Sequence, residues 1–305
     1  MRRLRRALSN GQIRLACGIL GLFVVVAILA PQLAPPDDPD NRSTTQVVGE
    51  SREVMPRPPS QEALLGTTTG QLDIYYSLVW GTRSALRFGL VVAVSTAMIG
   101  TLVGAVGGYF GGMVHSLIIR ITDGFLAFPA IAAVLLIGQV MMPPNVFAEP
   151  TPLQQAFHDL HLSPVLLALI LFSWMPYARL TSVSVIQLKQ TEYVLAARAL
   201  GARNTRIIRR HLLPNALSPV IVMASRDVGA MVVLAAAFNF IGLGGGSEWG
   251  ELLVVGRDYV IGLGGNPFTY WWVYLPATVA LVLFGIGWNL LGDGLNAVLD
   301  PRIDR

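Results

Sequence analysis

The chain has 305 residues, of which 53% are hydrophobic and 13% are charged, with a mean hydropathy of +0.57 and a formal net charge of +4. Soluble globular domains carry about 25% charged residues, so this composition excludes an ordinary soluble fold, a disordered chain and a collagen-like chain. The single cysteine, Cys17, excludes an intrachain disulfide scaffold.

Six apolar blocks predict six transmembrane helices and an all-α polytopic membrane protein. Each block is about 20 residues long, the length at which a helix crosses a hydrocarbon core of about 30 Å. Such long runs without alternation exclude a β-barrel. In chain order the predicted spans are residues 15–30, 88–109, 125–142, 164–186, 216–243 and 270–291.

The first block follows a tail that contains five arginines and no acidic residue. It is either a retained signal anchor or a cleavable signal peptide, and the length of the apolar run favours a retained helix. We therefore predict a cytoplasmic tail and first helix over residues 1–33. A Pro- and Asp-rich extracytoplasmic loop and lead-in segment follows over residues 34–84, and a core of five transmembrane helices over residues 85–305.

The charges of the loops predict the orientation. The loop of residues 187–214 carries six Lys and Arg residues against one acidic residue, Glu192, whereas residues 142–163 carry no Lys or Arg and residues 244–269 carry only Arg257. Basic loops stay in the cytoplasm. The loop of residues 187–214 and both termini are therefore predicted to be cytoplasmic.

The basic loop itself is predicted to be two short helices. Residues 192–200 favour a helix, and Gly201 can end it in the left-handed region. Asn204 or Thr205 can then cap a second helix that ends before Pro214. The residues alone leave two interpretations open: a docking element for another protein, or a loop that fixes topology and contacts lipid headgroups.

The run EYVLAARALGARNTRIIRRHLLPN at residues 192–215 resembles the cytoplasmic motif of permease subunits of binding-protein-dependent ABC importers. The resemblance is to the C-type permeases of the dipeptide, oligopeptide and nickel branch, and it extends over residues 65–302. Leu195 and His211 replace the Glu and Ile of the generic motif. Further similar stretches, in the order of that branch, are GYFGG (108–112), DGFLAFP (123–129), WMPYARL (174–180), FNFIGLG (238–244), SEWGELL (247–253) and NLLGDGLNAVLDPR (289–302).

This resemblance implies a type I ABC importer permease fold in the cell's inner membrane, with the basic loop seated in a cleft of a separate ATPase subunit. The implied partners are a second homologous permease, ATP-binding subunits, an extracytoplasmic solute-binding protein and the lipid bilayer, with no nucleic acid. ATP and Mg²⁺ would bind those ATPase subunits, and this chain would hydrolyse nothing and bind no cofactor. The residues expected to contact the ATPase are Ala196, Ala197, Arg198, Gly201, Arg206, Arg209, His211 and Pro214.

The expected cargo is a short peptide, with nickel chelates or glutathione-like solutes as the alternative within the same branch. A rival from another class is an ion-driven secondary transporter. Such transporters commonly contain two related halves with broken helices at matching positions, and we find no such repeat. The four histidines are scattered and lack metal-ligand spacing, so no metal site is predicted.

Two charged residues, Arg226 and Asp227, fall near the middle of the fifth predicted span. A charge there costs about 2.5 to 3.5 kcal/mol on insertion scales and should face a cavity or a partner. The functional hypothesis is that one lines the translocation path and meets a charged peptide terminus. The alternative is a structural pair with the second permease or with a helix break near Gly229. In the second span, Gly100 and Gly104, with Gly108 after them, predict close helix packing.

Overall fold

The computed structural model describes residues 10–36, 46–48, 55–141, 150–160, 162–244, 247–261 and 266–299. Within these ranges the protein is helical, and β pairing is limited to two isolated antiparallel bridges. In chain order the helices are α1 (Gly11–Leu33), α2 (Ile74–Phe110), α3 (Gly112–Ala127), α4 (Ala130–Met141), α5 (Pro152–Asp159), α6 (Pro164–Phe172), α7 (Met175–Leu188), α8 (Glu192–Ala199), α9 (Asn204–Ile207), α10 (Leu213–Phe240), α11 (Glu248–Ile261) and α12 (Trp271–Leu299). A π turn (Ile208–Leu212) joins α9 to α10, and a 3₁₀ turn (Pro267–Tyr270) leads into α12.

Five stretches of the described chain are long and apolar enough to cross a membrane, and they confirm five of the six predicted spans. They are Gly11–Leu33, Ile74–Phe110, Pro164–Leu188, Asn204–Phe240 and Phe268–Leu299. At 37 residues, α2 is roughly 55 Å long, well beyond a hydrocarbon core of about 30 Å. Helix α2 is therefore long enough to continue past the bilayer.

The prediction of one continuous helix over residues 125–142 is wrong. The chain forms α3 and α4 there, and the two helices meet at 85°. Phe128, between them, has an extended backbone with φ −82° and ψ 125°. Pro129 explains the break, because its ring disfavours helical geometry in the preceding residue and it has no amide hydrogen to donate. The pair makes a sixth crossing only as a broken span.

The glycine stripe of α2 packs directly against the backbone of α7. A methyl group added at Gly100 would lie 2.3 Å from the carbonyl oxygen of Trp174, and one added at Gly104 would lie 2.3 Å from the carbonyl oxygen of Ala178. Gly108 is similarly close to α7. The predicted close contact is confirmed, because no larger side chain fits between these helices.

The first helix, α1, packs into the bundle. Its Phe23 ring lies 5.3 Å from the Phe284 ring of α12 and 5.8 Å from the ring of Trp249. Gly287 and Gly294 of α12 face the side chains of α1 closely. These contacts join α1 to the main buried core.

Part of the segment predicted as an extracytoplasmic loop is folded onto one end of the bundle. The Trp80 indole donates a hydrogen bond of 2.9 Å to the carbonyl of Ala34. The buried Gln71 has a positive φ of 61°, and its side-chain amide donates to the carbonyl of Met55 at 2.9 Å. Asp73 caps α2, which begins eleven residues before the predicted core boundary at residue 85.

Candidate functional site

The first half of the basic loop folds as predicted. Helix α8 ends at a turn in which Gly201 has a φ of +78°, within the left-handed region. The amide of Gly201 donates to the carbonyl of Arg198 at 3.0 Å, and the amide of Ala202 donates to that of Ala197 at 3.1 Å. No atom lies within 4 Å of the position where a Gly201 side chain would begin. Backbone conformation, not lack of space, is therefore what requires glycine here.

The second predicted helix does not end before Pro214. Helix α9 continues through the π turn into α10, so a single stretch, Asn204–Phe240, runs from the loop into the membrane. Pro214 lies in the first turn of α10. A π turn widens the helix, which accommodates the ring and the missing amide hydrogen of a proline that would otherwise interrupt an α-helix. The basic loop is thus continuous with the span that follows it.

The predicted cap of this second helix is also wrong. Arg203 occupies the N-cap position and makes no side-chain capping bond. The side-chain oxygen of Asn204 instead accepts a hydrogen bond of 2.6 Å from the hydroxyl of Tyr109, at the end of α2. Thr205 is exposed in the first turn. Asn204 therefore connects the loop to α2 and does not cap a helix.

A small buried cluster holds the loop to the ends of α2 and α7. Its members, all buried, are Ala105, Tyr109, Val185, Val194, Ile207, Leu212 and Ala216. The Lys189 ammonium donates to the carbonyl oxygens of Gly108 at 3.3 Å and Tyr109 at 3.1 Å. The Arg198 guanidinium lies 5.9 Å from the centre of the Tyr109 ring, close enough for a cation–π contact. The loop and these spans should consequently move together.

Within residues 192–214, the face that points away from the buried cluster is exposed. We call this face the coupling surface, after the role that the sequence predicts for it. It contains a groove of about 750 Å³. Leu195 is 50% exposed and Leu200 is 88% exposed, an unusual degree for large apolar side chains. The groove is lined by Gly201, Ala202, Arg203, Thr205, Arg206, Arg209, Arg210 and Pro214.

Only some of the residues predicted to contact the ATPase line the groove of this surface. Gly201, Arg206, Arg209 and Pro214 line the groove. Ala196 and Arg198 are exposed on α8, whereas Ala197 and His211 are partly buried. The His211 ring lies 6.1 Å from the ring of Tyr193. Sequence reasoning missed the exposed Leu195 and Leu200, although their apolar side chains in an otherwise charged loop could have indicated them.

Arg226 and Asp227 bind partners on two different helices. The Arg226 guanidinium forms an ion pair with Asp293 of α12. The Asp227 carboxylate accepts a hydrogen bond of 2.6 Å from the Tyr177 hydroxyl of α7. Neighbouring residues of a helix point about 100° apart, which explains the two directions. Helix α10 is unbroken at Gly229, so the alternative that the charges meet a helix break there is wrong.

A second ion pair within the bundle was not predicted. Arg179 of α7 pairs with Asp123 of α3, and both side chains are about half exposed. One turn towards the basic loop, the Ser182 hydroxyl lies 3.1 Å from Nδ1 of His115. Asp123 lies in DGFLAFP and Arg179 in WMPYARL, two of the stretches that resemble the permease family. Their opposite charges within such stretches could have indicated the pair.

The described residues contain no group of three His, Cys, Asp or Glu side chains that could hold a metal ion. His161 lies outside the described residues.

Comparisons with known proteins agree over nearly the whole chain. Residues 97–305 match the family described as binding-protein-dependent transport system inner membrane component. The chain is 32% identical to the dipeptide transport system permease protein of Alkalihalophilus pseudofirmus, over 93% of this chain and 84% of that relative. It is 30% identical to the probable D,D-dipeptide transport system permease protein of Escherichia coli, over 93% of this chain and 85% of the relative. It is also 30% identical to the glutathione transport system permease protein of Pectobacterium atrosepticum, over 98% and 90%.

Among solved structures, the fold is similar to a chain of the inward-facing methionine ABC transporter MetNI. The TM-score is 0.52, with 22% sequence identity, and the match covers 72% of this chain and 95% of that chain. At this identity the likeness concerns the fold. It confirms the predicted type I importer architecture.

Proposed function

Because the chain belongs to the family of binding-protein-dependent transport system inner membrane components, we propose that it is a permease subunit of an ATP-driven importer of short peptides. In this proposal it forms half of the translocation path beside a second homologous permease. A solute-binding protein delivers the peptide on the outer side. Both termini and the coupling surface face the cytoplasm, as the basic residues of the loop favour.

The observation that carries the proposal is an exposed surface fixed rigidly to two spans. The coupling surface exposes Leu200 and arginines on one side, and on the other side its buried cluster packs against α2 and α7. Exposed apolar side chains beside arginines are typical of a surface that binds a cleft in another protein, because burial there removes apolar area from water. A loop that served only to fix membrane topology would need none of this packing.

The energy for transport comes, in this proposal, from partner ATPase subunits that bind ATP and Mg²⁺. The sequence of this chain has no G-x-x-x-x-G-K-[ST] phosphate-binding motif. When two ATPase subunits close on ATP, the coupling surface moves with them. Its continuity with α10, and the bonds from Lys189 and Asn204 to α2, transmit that movement to the spans that enclose the path.

Peptides are the proposed cargo because the relatives named above include a dipeptide permease and a probable D,D-dipeptide permease. A glutathione-like solute is the second candidate, because the relatives also include a glutathione permease. We further propose that Arg226 and Asp227 lie beside the path. Their bonds to Asp293 and Tyr177 hold α10 against α12 and α7 there.

The test is reconstitution of this chain with its second permease, ATPase subunits and binding protein in liposomes. We expect labelled alanyl-alanine to accumulate only when ATP and Mg²⁺ are present on the ATPase side. Uptake that proceeds without the ATPase subunits, driven by a proton or sodium gradient, would refute the proposal and favour a secondary transporter.

A further inference from the structure

An apolar groove lies between α2 and α10, in the half of the bundle next to the coupling surface. Its volume is about 350 Å³. Its lining on α10 runs from Leu213 to Ala224, which corresponds to roughly 16 Å along the helix axis. That length is close to half of a hydrocarbon core of about 30 Å. The groove therefore matches the thickness of one leaflet of the bilayer.

The apolar groove is open on the outside of the bundle. Val94, Met98 and Leu102 of α2 line it, and each of these side chains is more than half exposed. Helix α1 packs elsewhere: its start lies against Gly294 near the end of α12, and its end lies against the start of α2. Nothing in the described part of the chain therefore separates this groove from the surrounding membrane.

The apolar groove adjoins the groove of the coupling surface, which we call the basic groove. Leu213 lines the apolar groove, and the next residue, Pro214, lines the basic groove. Arg209 and Arg210 line the basic groove about one helical turn before these two residues. They are consequently the arginines of the basic groove that lie nearest, along the chain, to the membrane-spanning part of α10.

The basic groove carries positive charge that the described residues do not neutralise. Its lining includes four arginines and contains no Asp or Glu among the residues that the structure describes. None of these arginines forms an ion pair with another described residue. Like charges around one groove repel each other, and a bound anion relieves the repulsion. A phosphate group suits this position, because guanidinium groups bind phosphate oxygens through paired hydrogen bonds.

We propose that the two grooves together bind one anionic phospholipid, with its phosphate at Arg209 and Arg210 and an acyl chain in the apolar groove. Basic pockets beside membrane-spanning helices on the cytoplasmic side are typical sites for anionic headgroups. A helix of a second permease would fill the apolar groove but would leave the arginines without a counter-charge unless it also carried carboxylates there. A phospholipid supplies the apolar chain and the negative charge in one molecule.

This site divides the coupling surface between two partners. Arg210 is not among the residues predicted to contact the ATPase, whereas Arg198 and Leu200 are exposed at the end of α8 and remain available to it. Arg209, which is also a predicted ATPase contact, adjoins both partners. Docking and headgroup contact, the two interpretations that the sequence left open, thus apply to different parts of the loop. The inference uses the proposed orientation only to identify the leaflet as the cytoplasmic one.

The test titrates the purified full chain in detergent with dioleoylphosphatidylglycerol or dioleoylphosphatidylcholine and counts bound lipid by native mass spectrometry. The two lipids share their acyl chains and differ in net headgroup charge. Two arginines at the phosphate should favour the anionic lipid roughly 30-fold. Equal binding of the two lipids would refute the site. Displacement by glycerol 1-phosphate as effective as that by the anionic lipid would indicate a site for free phosphate and would refute it too.

Two variants, each with a matched control, locate the site. Arg210→Gln should weaken binding of the anionic lipid roughly fivefold, whereas Arg198→Gln, outside the lining of both grooves, should leave it unchanged. Ala97→Phe fills the apolar groove and should also weaken binding, whereas Val279→Phe, an exposed position of α12 outside this groove, should not. If Ala97→Phe does not fold, the exposed Arg210 decides. Equal affinity of Arg210→Gln and Arg198→Gln contradicts the headgroup site.

The second permease is the other candidate for the apolar groove, and the same variants test it. The chain purified together with the second permease should retain the anionic lipid and should tolerate Ala97→Phe. Loss of the lipid on assembly, with release of the second permease by Ala97→Phe, would assign the groove to the contact between permeases and overturn the lipid site. Lipid binding requires neither ATP nor cargo, so these results are independent of the proposed function.

Discussion

Substitution of Gly201 by valine tests the turn of the coupling surface. A residue with a side chain in the left-handed region costs about 1–3 kcal/mol, and a β-branched residue lies at the upper end of that range. The Gly201 φ of +78° lies in this region, and no neighbouring atom is within 4 Å of an added side chain. The whole effect should therefore come from the backbone and remain local. A cost of about 2 kcal/mol disfavours the observed turn roughly 30-fold against other conformations.

The assay measures ATP-dependent uptake and co-purification of the ATPase subunits in parallel. We expect Gly201→Val to reduce both by roughly tenfold or more, while the helical content in detergent stays unchanged. Gly201→Asn should retain much more activity, because asparagine tolerates the left-handed region. Gly124→Val is the matched control, since Gly124 also has open space around it but does not have a positive φ. Full uptake and full ATPase retention in Gly201→Val would refute the coupling role of this turn.

Three further tests address the packing and polar contacts of the bundle. Gly104→Leu should lower the apparent midpoint of thermal unfolding in detergent, because its first side-chain atom would lie 2.3 Å from the Ala178 carbonyl oxygen and overpacking costs about 1–3 kcal/mol; an unchanged midpoint would contradict the close contact. Tyr177→Phe removes the donor to Asp227 and should destabilise the protein by about 1–3 kcal/mol, and adding Asp227→Asn should restore part of this loss if the unpaired charge is its cause. Burial raises the pKa of Asp73 above 3.8, despite the lowering effect of hydrogen bonds from the amides of the first turn. The folded protein therefore binds this proton more tightly than the unfolded chain does. As a result, the protein loses stability as pH rises through the raised pKa. Asp73→Asn keeps a capping side chain and should be more stable than the unmodified protein at pH 7 but not at pH 4; a pH-independent difference in unfolding midpoint would contradict this reasoning.

Local patterns predicted the features that depend on neighbouring residues. The spans follow from the lengths of the apolar blocks. The glycine spacing of α2 predicts a close helix contact, and the structure identifies α7 as the partner. The sequence predicts a left-handed turn at Gly201, because few other residues adopt that conformation, and the observed φ confirms this prediction. The apolar character of residues 125–142 predicts one span, but the local effect of Pro129 on the backbone of Phe128 breaks the helix.

Features set by distant residues were not predictable from one sequence. The sequence predicts Asn204 or Thr205 as the helix cap, but the hydroxyl of Tyr109, 95 positions earlier, donates a hydrogen bond to the Asn204 side-chain oxygen. The sequence allows several partners for Arg226, and its observed partner, Asp293, is 67 positions away on another helix. The periodicity of residues within one helix does not indicate which residue of another helix each of them contacts.

The most direct measurement of the central claim is the accessibility of one thiol at the tip of the coupling surface. Cys17 is the single cysteine of the chain, so Cys17→Ser combined with Leu200→Cys leaves one thiol, at a side chain that is 88% exposed. A membrane-impermeant maleimide should label it in inside-out vesicles and not in intact cells, and bound ATPase subunits should protect it from labelling. Labelling in intact cells, or labelling that is unaffected by the ATPase, would contradict a cytoplasmic surface that couples this permease to ATP hydrolysis.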